Sequence, residues 1–423
     1  MGDLSRKHFL KASAGVIATA LTPAVVLAEP QQKPADDSSK LTMGDLQGAA
    51  RTAGVALSPD QLAPLLRNVQ GTTDSFGPLR EMADDPYLVP ATTFHVMGEP
   101  NVKTVRVKLA RVAVKRPTSN EDLACLSASA LSHLIHTGQI SSIELTQIYL
   151  ARLKKYGPKL RCVINLTEEL ALQQAAQADK ELGDGKSRGP LHGLPYGLKD
   201  LFSVPGYPTT WGAAPFKDQR LSVEAAVYER LKAAGAVLVA KLSMGALAQG
   251  GIWFGGRTET PWDPNLGSSG SSAGSGSATA AGLVAFAIGT ETSGSIVSPS
   301  HNCRVTGLRP TFGSISRYGA MALSYSMDKP GPLCRTAEDC ALVFAALVGK
   351  DPRDPSTLAR GFQYSPNVDS KKLRVAAFVS AEAFKKPLVT KGIPAFEELE
   401  KLGIKLSPVT VDAPRSLGII QDA

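Results

Sequence analysis

Cysteine is scarce in this chain. Five occur in 423 residues, at positions 125, 162, 303, 334 and 340, an odd number with no Cys-x-x-Cys pair. That excludes a disulfide framework or a zinc knuckle and leaves the five as buried small apolar side chains. Histidine is also sparse, six in all and scattered, with neither His-x-x-x-His nor His-Glu-x-x-His, so no metal is expected. The glycines lack both the dinucleotide and the P-loop spacing, so no cofactor is expected either. Basic residues outnumber acidic ones by 46 to 38, a net charge of +8. They form no dense patch, which argues against a nucleic-acid partner. No apolar run is long enough for a stable membrane span, since residues 12–28 are interrupted by Gly15, Thr19, Thr22 and Pro23. Aromatics make up only 6%, and Trp211, Trp253 and Trp262 read as core or cleft-wall residues rather than cofactor platforms.

What is present describes a globular protein, with 43% hydrophobic and 20% charged residues. Residues 5–11 (SRKHFLK), the mild apolar run after them and Val26-Leu27-Ala28 have the anatomy of an export signal over 1–28. The signal is twin-arginine-like, with Lys7 in place of the second arginine, and implies a periplasmic destination. Residues 29–41 read as a flexible linker and 42–118 as an accessory helical region. Stronger patterning begins at 119. Helices are expected over 142–156 (capped by Ser142 and stopped by Gly157-Pro158), 168–182, 222–234, 337–348 and 393–402, with strands over 236–240, 284–288 and 373–379. This alternation predicts an α/β fold, a mixed sheet covered by helices on both faces.

Residues 267–277 (GSSGSSAGSGS) abut a strongly apolar stretch. They suit a tight turn at a reactive centre better than a linker. Twenty-four residues after Ser271, a buried strand ends in Gly289-Thr-Glu-Thr-Ser-Gly-Ser295-Ile. Such a turn exposes a serine and presents successive backbone N–H groups that can hold an oxyanion. Seventy-two residues before Ser271, Lys199 lies in a Gly/Pro/apolar run. Burial there would depress its pKa and make it a usable base.

Taken together, Ser269-Gly-Ser271-Ser-Ala-Gly-Ser275, the Ser295 motif, Gly307-Leu-Arg-Pro-Thr311 and Lys199 resemble the amidase-signature family over about residues 123–347. The gap between the two serines is the family's own. The resemblance implies an amidase acting on a small-molecule amide. Ser295 is then the nucleophile that forms an acyl-enzyme. Ser271, after a cis peptide bond, relays the proton to Lys199. The amides of Thr292, Ser293, Gly294 and Ser295 form the oxyanion hole. Small residues (Ser269, Ala273, Ser293) replace family glycines, and Val297 stands where many members have arginine. That leans away from the alternative of a glutamine-hydrolysing amidotransferase of the A type; an inactive binding member of the family is a further alternative. The family continues beyond the point where this chain stops, so 119–423 is expected to be a catalytic domain missing a C-terminal part. A homodimer is left open. An α/β-hydrolase with Ser272 as nucleophile is the rival outside the family. It is opposed by the lack of strand-like patterning over 263–269 and by His301 being the sole downstream histidine. His192, Asp200 and Asp328 read as structural.

Overall fold

The computed structural model describes residues 40–82 (except 53), 105–108, 114–378 (except 325, 360 and 368) and 394–409. The expected export signal and nearly all of the linker lie outside these. Two compact units occur, one containing residues 40–82 and the other containing everything described from 105 onward. In the first, helices α1 (Met43–Thr52) and α2 (Pro59–Met82) bury Leu46 and Leu62. The expected accessory region is thus only partly separate, because Val105–Val107 is a strand of the second unit, parallel to Phe362–Tyr364.

The second unit is built on a six-stranded sheet. Its strands are β1 (Val163–Leu166), β2 (Pro195–Lys199), β3 (Val237–Leu242), β4 (Phe286–Glu291), β5 (Thr306–Gly307) and β6 (Lys329–Cys334), in the order β5-β6-β4-β2-β3-β1. The central β4, β2 and β3 are parallel, and antiparallel neighbours flank them on both sides. The helices that pack on it are α3 (Ala128–His136), α4 (Ser142–Leu160), α5 (Glu168–Gly183), α6 (Ala226–Ala233), α7 (Ala273–Ala280), α8 (Val297–Cys303) and α9 (Ala337–Leu347). Side chains alternate between two cores. Leu238, Phe286 and Ile288 face one core, with Leu131 and Leu134 of α3, Leu231 of α6 and Leu342 of α9. Val237, Val239 and Ala287 face the other, with Leu150 and Leu153 of α4, Ala171 and Ala175 of α5 and Ala278 of α7. The expected mixed sheet with both faces covered is therefore what forms, and a two-residue side-chain period is why one strand can serve two cores. Among the described residues no helix is long and apolar enough to cross a membrane.

Several local expectations differ from the fold. Ser141, not Ser142, caps α4, its Oγ accepting the Glu144 N–H at 3.0 Å. The helix also runs through Gly157-Pro158 to Leu160. Pro158 lies on the exposed side, where a carbonyl deprived of its helical partner can turn to solvent. Residues 263–267 do form a strand, paired with Glu259–Thr260 in a small hairpin outside the central sheet. Cys125 is exposed, whereas the other four cysteines are buried.

Candidate active site

Parallel strands all end at one side of their sheet, where α/β proteins gather their functional groups. Lys199 is the last residue of β2 and Glu291 the last of β4. Lys199 is completely buried. Burial drops its pKa from 10.5 to about 7, although the charges of Asp328 and Glu291 push the other way. Its Nζ reaches Ser271 Oγ at 2.8 Å, Ser272 Oγ at 3.2 Å and Thr290 Oγ1 at 2.8 Å. The proton count fixes one of these contacts. Ser272 Oγ donates to the Thr290 carbonyl (3.0 Å) and accepts the Thr290 N–H (3.1 Å). Toward the lysine, Ser272 can therefore only accept. A neutral amine has two N–H groups and one lone pair. With Ser272 accepting one N–H group, the second N–H group and the lone pair are left for the Ser271 and Thr290 hydroxyls, both at 2.8 Å.

Ser271 is held by crowded backbone. The Gly270–Ser271 peptide is cis and Ser269 has φ of +63°. A side chain at Gly270 is impossible, since a Cβ would lie 1.8 Å from the Gly250 carbonyl oxygen. The Gly245 N–H binds the Ser271 carbonyl at 3.2 Å, and α7 begins two residues later. The Ser272 N–H binds the Ser295 carbonyl at 3.2 Å, which draws the two serine segments together. Among the described residues the Ser271 and Ser295 hydroxyls do not hydrogen-bond each other, so the lysine link of the expected relay is formed and the second link is open. Catalytic hydrogen bonds commonly tighten only once substrate is bound.

Ser295 is 9% exposed and sits in the bend between β4 and α8. Glu291 fastens that bend. Its Oε2 accepts the N–H groups of Ile296 (2.9 Å) and Val297 (3.0 Å), and Arg309 approaches Oε1 at 3.4 Å. Burial alone would raise its pKa, but the amides of Val297, Ile296 and Gly294, with Arg309, outweigh that and hold the carboxyl below its usual range. The expected oxyanion donors Thr292, Ser293, Gly294 and Ser295 all lie in this bend, with the Gly294 amide shared with Glu291.

All three residues singled out from sequence converge here. Thr290, Ser272 and Glu291 were not singled out as their partners. Ser272, the rival nucleophile, is fully buried, and its hydroxyl is committed to Lys199 and Thr290 with no histidine among its partners. Asp200 supports the turn after β2 through the Thr210 N–H (2.7 Å) and pairs with a second buried lysine, Lys241, at 2.7 Å. His192 accepts the Arg188 N–H at 3.1 Å and pairs with Glu181 at 3.2 Å, partners that tie it to the 181–188 segment.

A buried lysine joined to a serine after a cis bond, at the strand ends of a mixed α/β sheet, defines a class of serine-dependent enzyme site without histidine. The Amidase family model matches residues 144–418, and the chain belongs to that family. It is 37% identical over 293 residues to the A component of a glutamyl-tRNA(Gln) amidotransferase of Marinomonas sp. (strain MWYL1), covering 67% of this chain and 60% of that protein. It is 40% identical over 245 residues to a putative amidase, AmiD, of Mycobacterium bovis, covering 57% of this chain and 52% of that protein. Among solved structures it resembles native peptide amidase from Stenotrophomonas maltophilia at TM-score 0.61 and 31% identity, covering 70% of this chain and 63% of that one. The chain thus spans less than two thirds of the length of these relatives.

Proposed function

We propose that this protein is an amide hydrolase working through an acyl-enzyme on Ser295, with Ser271 and Lys199 as its proton relay. The observation that carries this is the 2.8 Å contact from a fully buried, readily deprotonated Lys199 to Ser271. In the reaction Ser295 Oγ attacks the amide carbon while its proton passes to Ser271 Oγ and the Ser271 proton passes to Lys199 Nζ. The tetrahedral oxyanion is held by amides of the 292–295 bend. The C–N bond then breaks as Lys199, through Ser271, returns the proton to the leaving nitrogen. Water enters by the same relay, cleaves the ester and frees Ser295. The test is turnover of a panel of small amides, together with covalent labelling of Ser295 by a fluorophosphonate. Ser295→Ala should lose at least about a thousandfold in kcat, and wild-type turnover in that variant would sink the assignment. Lys199→Arg should not rescue activity, because arginine does not release its proton.

The similarity to the A components of amidotransferases supports a second reading, a glutamine-hydrolysing member of a larger complex. Glutaminase activity that emerges only with partner proteins would favour it over the amidase reading; Val297, two residues after Ser295, speaks for the latter. We also propose that residues 1–28 are an export signal, which N-terminal sequencing of the mature protein tests. Retention of Met1 would refute it. Sedimentation would decide whether the protein is a homodimer.

A further inference from the structure

The bend that carries Ser295 is fixed at its far end by Glu291, which binds the Ile296 and Val297 amides. Its near end is gripped by two consecutive residues of the neighbouring chain segment. Asp328 precedes β6, and Lys329, the first residue of β6, stands opposite Glu291 in the antiparallel register. Asp328 Oδ1 accepts the Thr292 hydroxyl, while its Oδ2 accepts the N–H groups of Leu323 (2.8 Å) and Ser324 (3.1 Å). Lys329 Nζ donates to the Thr292 carbonyl at 3.1 Å and also to the Met327 carbonyl. Thr292 is therefore held by side chain and by backbone, two residues after the Thr290 that holds Lys199 and three before Ser295.

We propose that Asp328 and Lys329 are positioning residues for amide hydrolysis, clamping Thr292 so that the 292–295 bend keeps its donors and Ser295 in register with the lysine-bound Ser271. The proposal rests on Ser295 being the nucleophile. A structural role alone does not account for the arrangement. Asp328 is buried, yet it directs one oxygen to the loop at 323–324 and the other to the reactive bend. Rigid support of this kind matters because a misplacement of about 1 Å at a reacting centre can lower rate on the order of a hundredfold. Asp328 also acts on the base by its charge. The charged groups acting on Lys199 are Asp328 and Glu291 from β4, the latter itself faced by Arg309 and Lys329. Both carboxylates favour the lysine's ammonium form.

The experiment compares Thr292→Val, Thr292→Ser, Lys329→Met and Asp328→Asn with wild type and with Ser295→Ala. Thermal melts, kcat and KM against pH, and fluorophosphonate labelling rates are read together. Thr292→Val and Lys329→Met should each lower kcat by roughly 10- to 100-fold with KM little changed, and slow labelling in step. Thr292→Ser, which keeps the hydroxyl, should restore most of the rate. Asp328→Asn can still bond Thr292 but loses the charge, so the acid limb of the rate profile should move to lower pH. Wild-type kcat and labelling in Thr292→Val and Lys329→Met, with Ser295→Ala inactive, would overturn the clamp alone. Activity retained in Ser295→Ala would instead overturn the reading beneath it. If Lys329→Met fails to fold, the contrast between Thr292→Val and Thr292→Ser decides.

Discussion

Lys199→Met should make the protein more stable and inactive, by an amount that depends on pH. In the unfolded chain a lysine titrates near 10.5, and in the folded protein Lys199 is brought down to about 7 by burial. Between those values the unfolded state binds more protons than the folded state. The wild-type protein therefore gains stability as pH rises through that window. The penalty is absent above about pH 10.5 and fully in place below about pH 7. At pH 7 it amounts to roughly 4 kcal/mol. Methionine removes it but strips a partner from each of the Ser271, Ser272 and Thr290 hydroxyls, at about 1 kcal/mol apiece. A net gain of roughly 1 kcal/mol at neutral pH remains. The sharper expectation is the slope. Between about pH 6.5 and 8.5 the wild type should recover roughly 2 kcal/mol relative to the variant. Urea denaturation of both proteins at the two pH values measures this. Parallel behaviour of the two proteins would refute the depressed pKa and, with it, the case for a neutral base.

Activity should rise roughly tenfold between about pH 6 and 8 as Lys199 loses its proton, the neutral amine being the active form; a limb near 10 would show an ordinary lysine. Ser295→Ala should be inactive yet melt with the wild type, since its hydroxyl anchors no other group through a hydrogen bond among the described residues. Gly270→Ala should destabilise by about 3 kcal/mol or more or abolish soluble expression, because its Cβ would meet the Gly250 carbonyl oxygen at 1.8 Å; a normal melt would show that the backbone there yields. Lys241→Met should cost about 3–5 kcal/mol by leaving Asp200 buried and unpaired, and adding Asp200→Asn should recover part of it; equal denaturation midpoints for the single and double variants would contradict the pairing.

The raw material of the chemistry and the class of fold are legible in the order of residues. Ser271, Ser295 and Lys199 announce themselves through local composition. Gly/Ser turns beside buried strands and a lysine among apolar residues are signals carried within a dozen residues. Period-two and period-three-to-four patterning likewise separates strands from helices, because each element must bury one face. Local patterning is weaker where context decides, as at Pro158, whose exposed position lets α4 continue, and at 263–267, whose polar residues pair only because Glu259–Thr260 lies alongside. Which groups serve the lysine is settled by tertiary assembly. Ser272 and Thr290 lie 73 and 91 residues from Lys199, and Asp328 lies 36 from Thr292. No local period encodes such contacts, since they arise from the order β6-β4-β2-β3 in which the sheet assembles. The same assembly removes Lys199 from water, and that burial, which no stretch of sequence specifies alone, is what lowers its pKa.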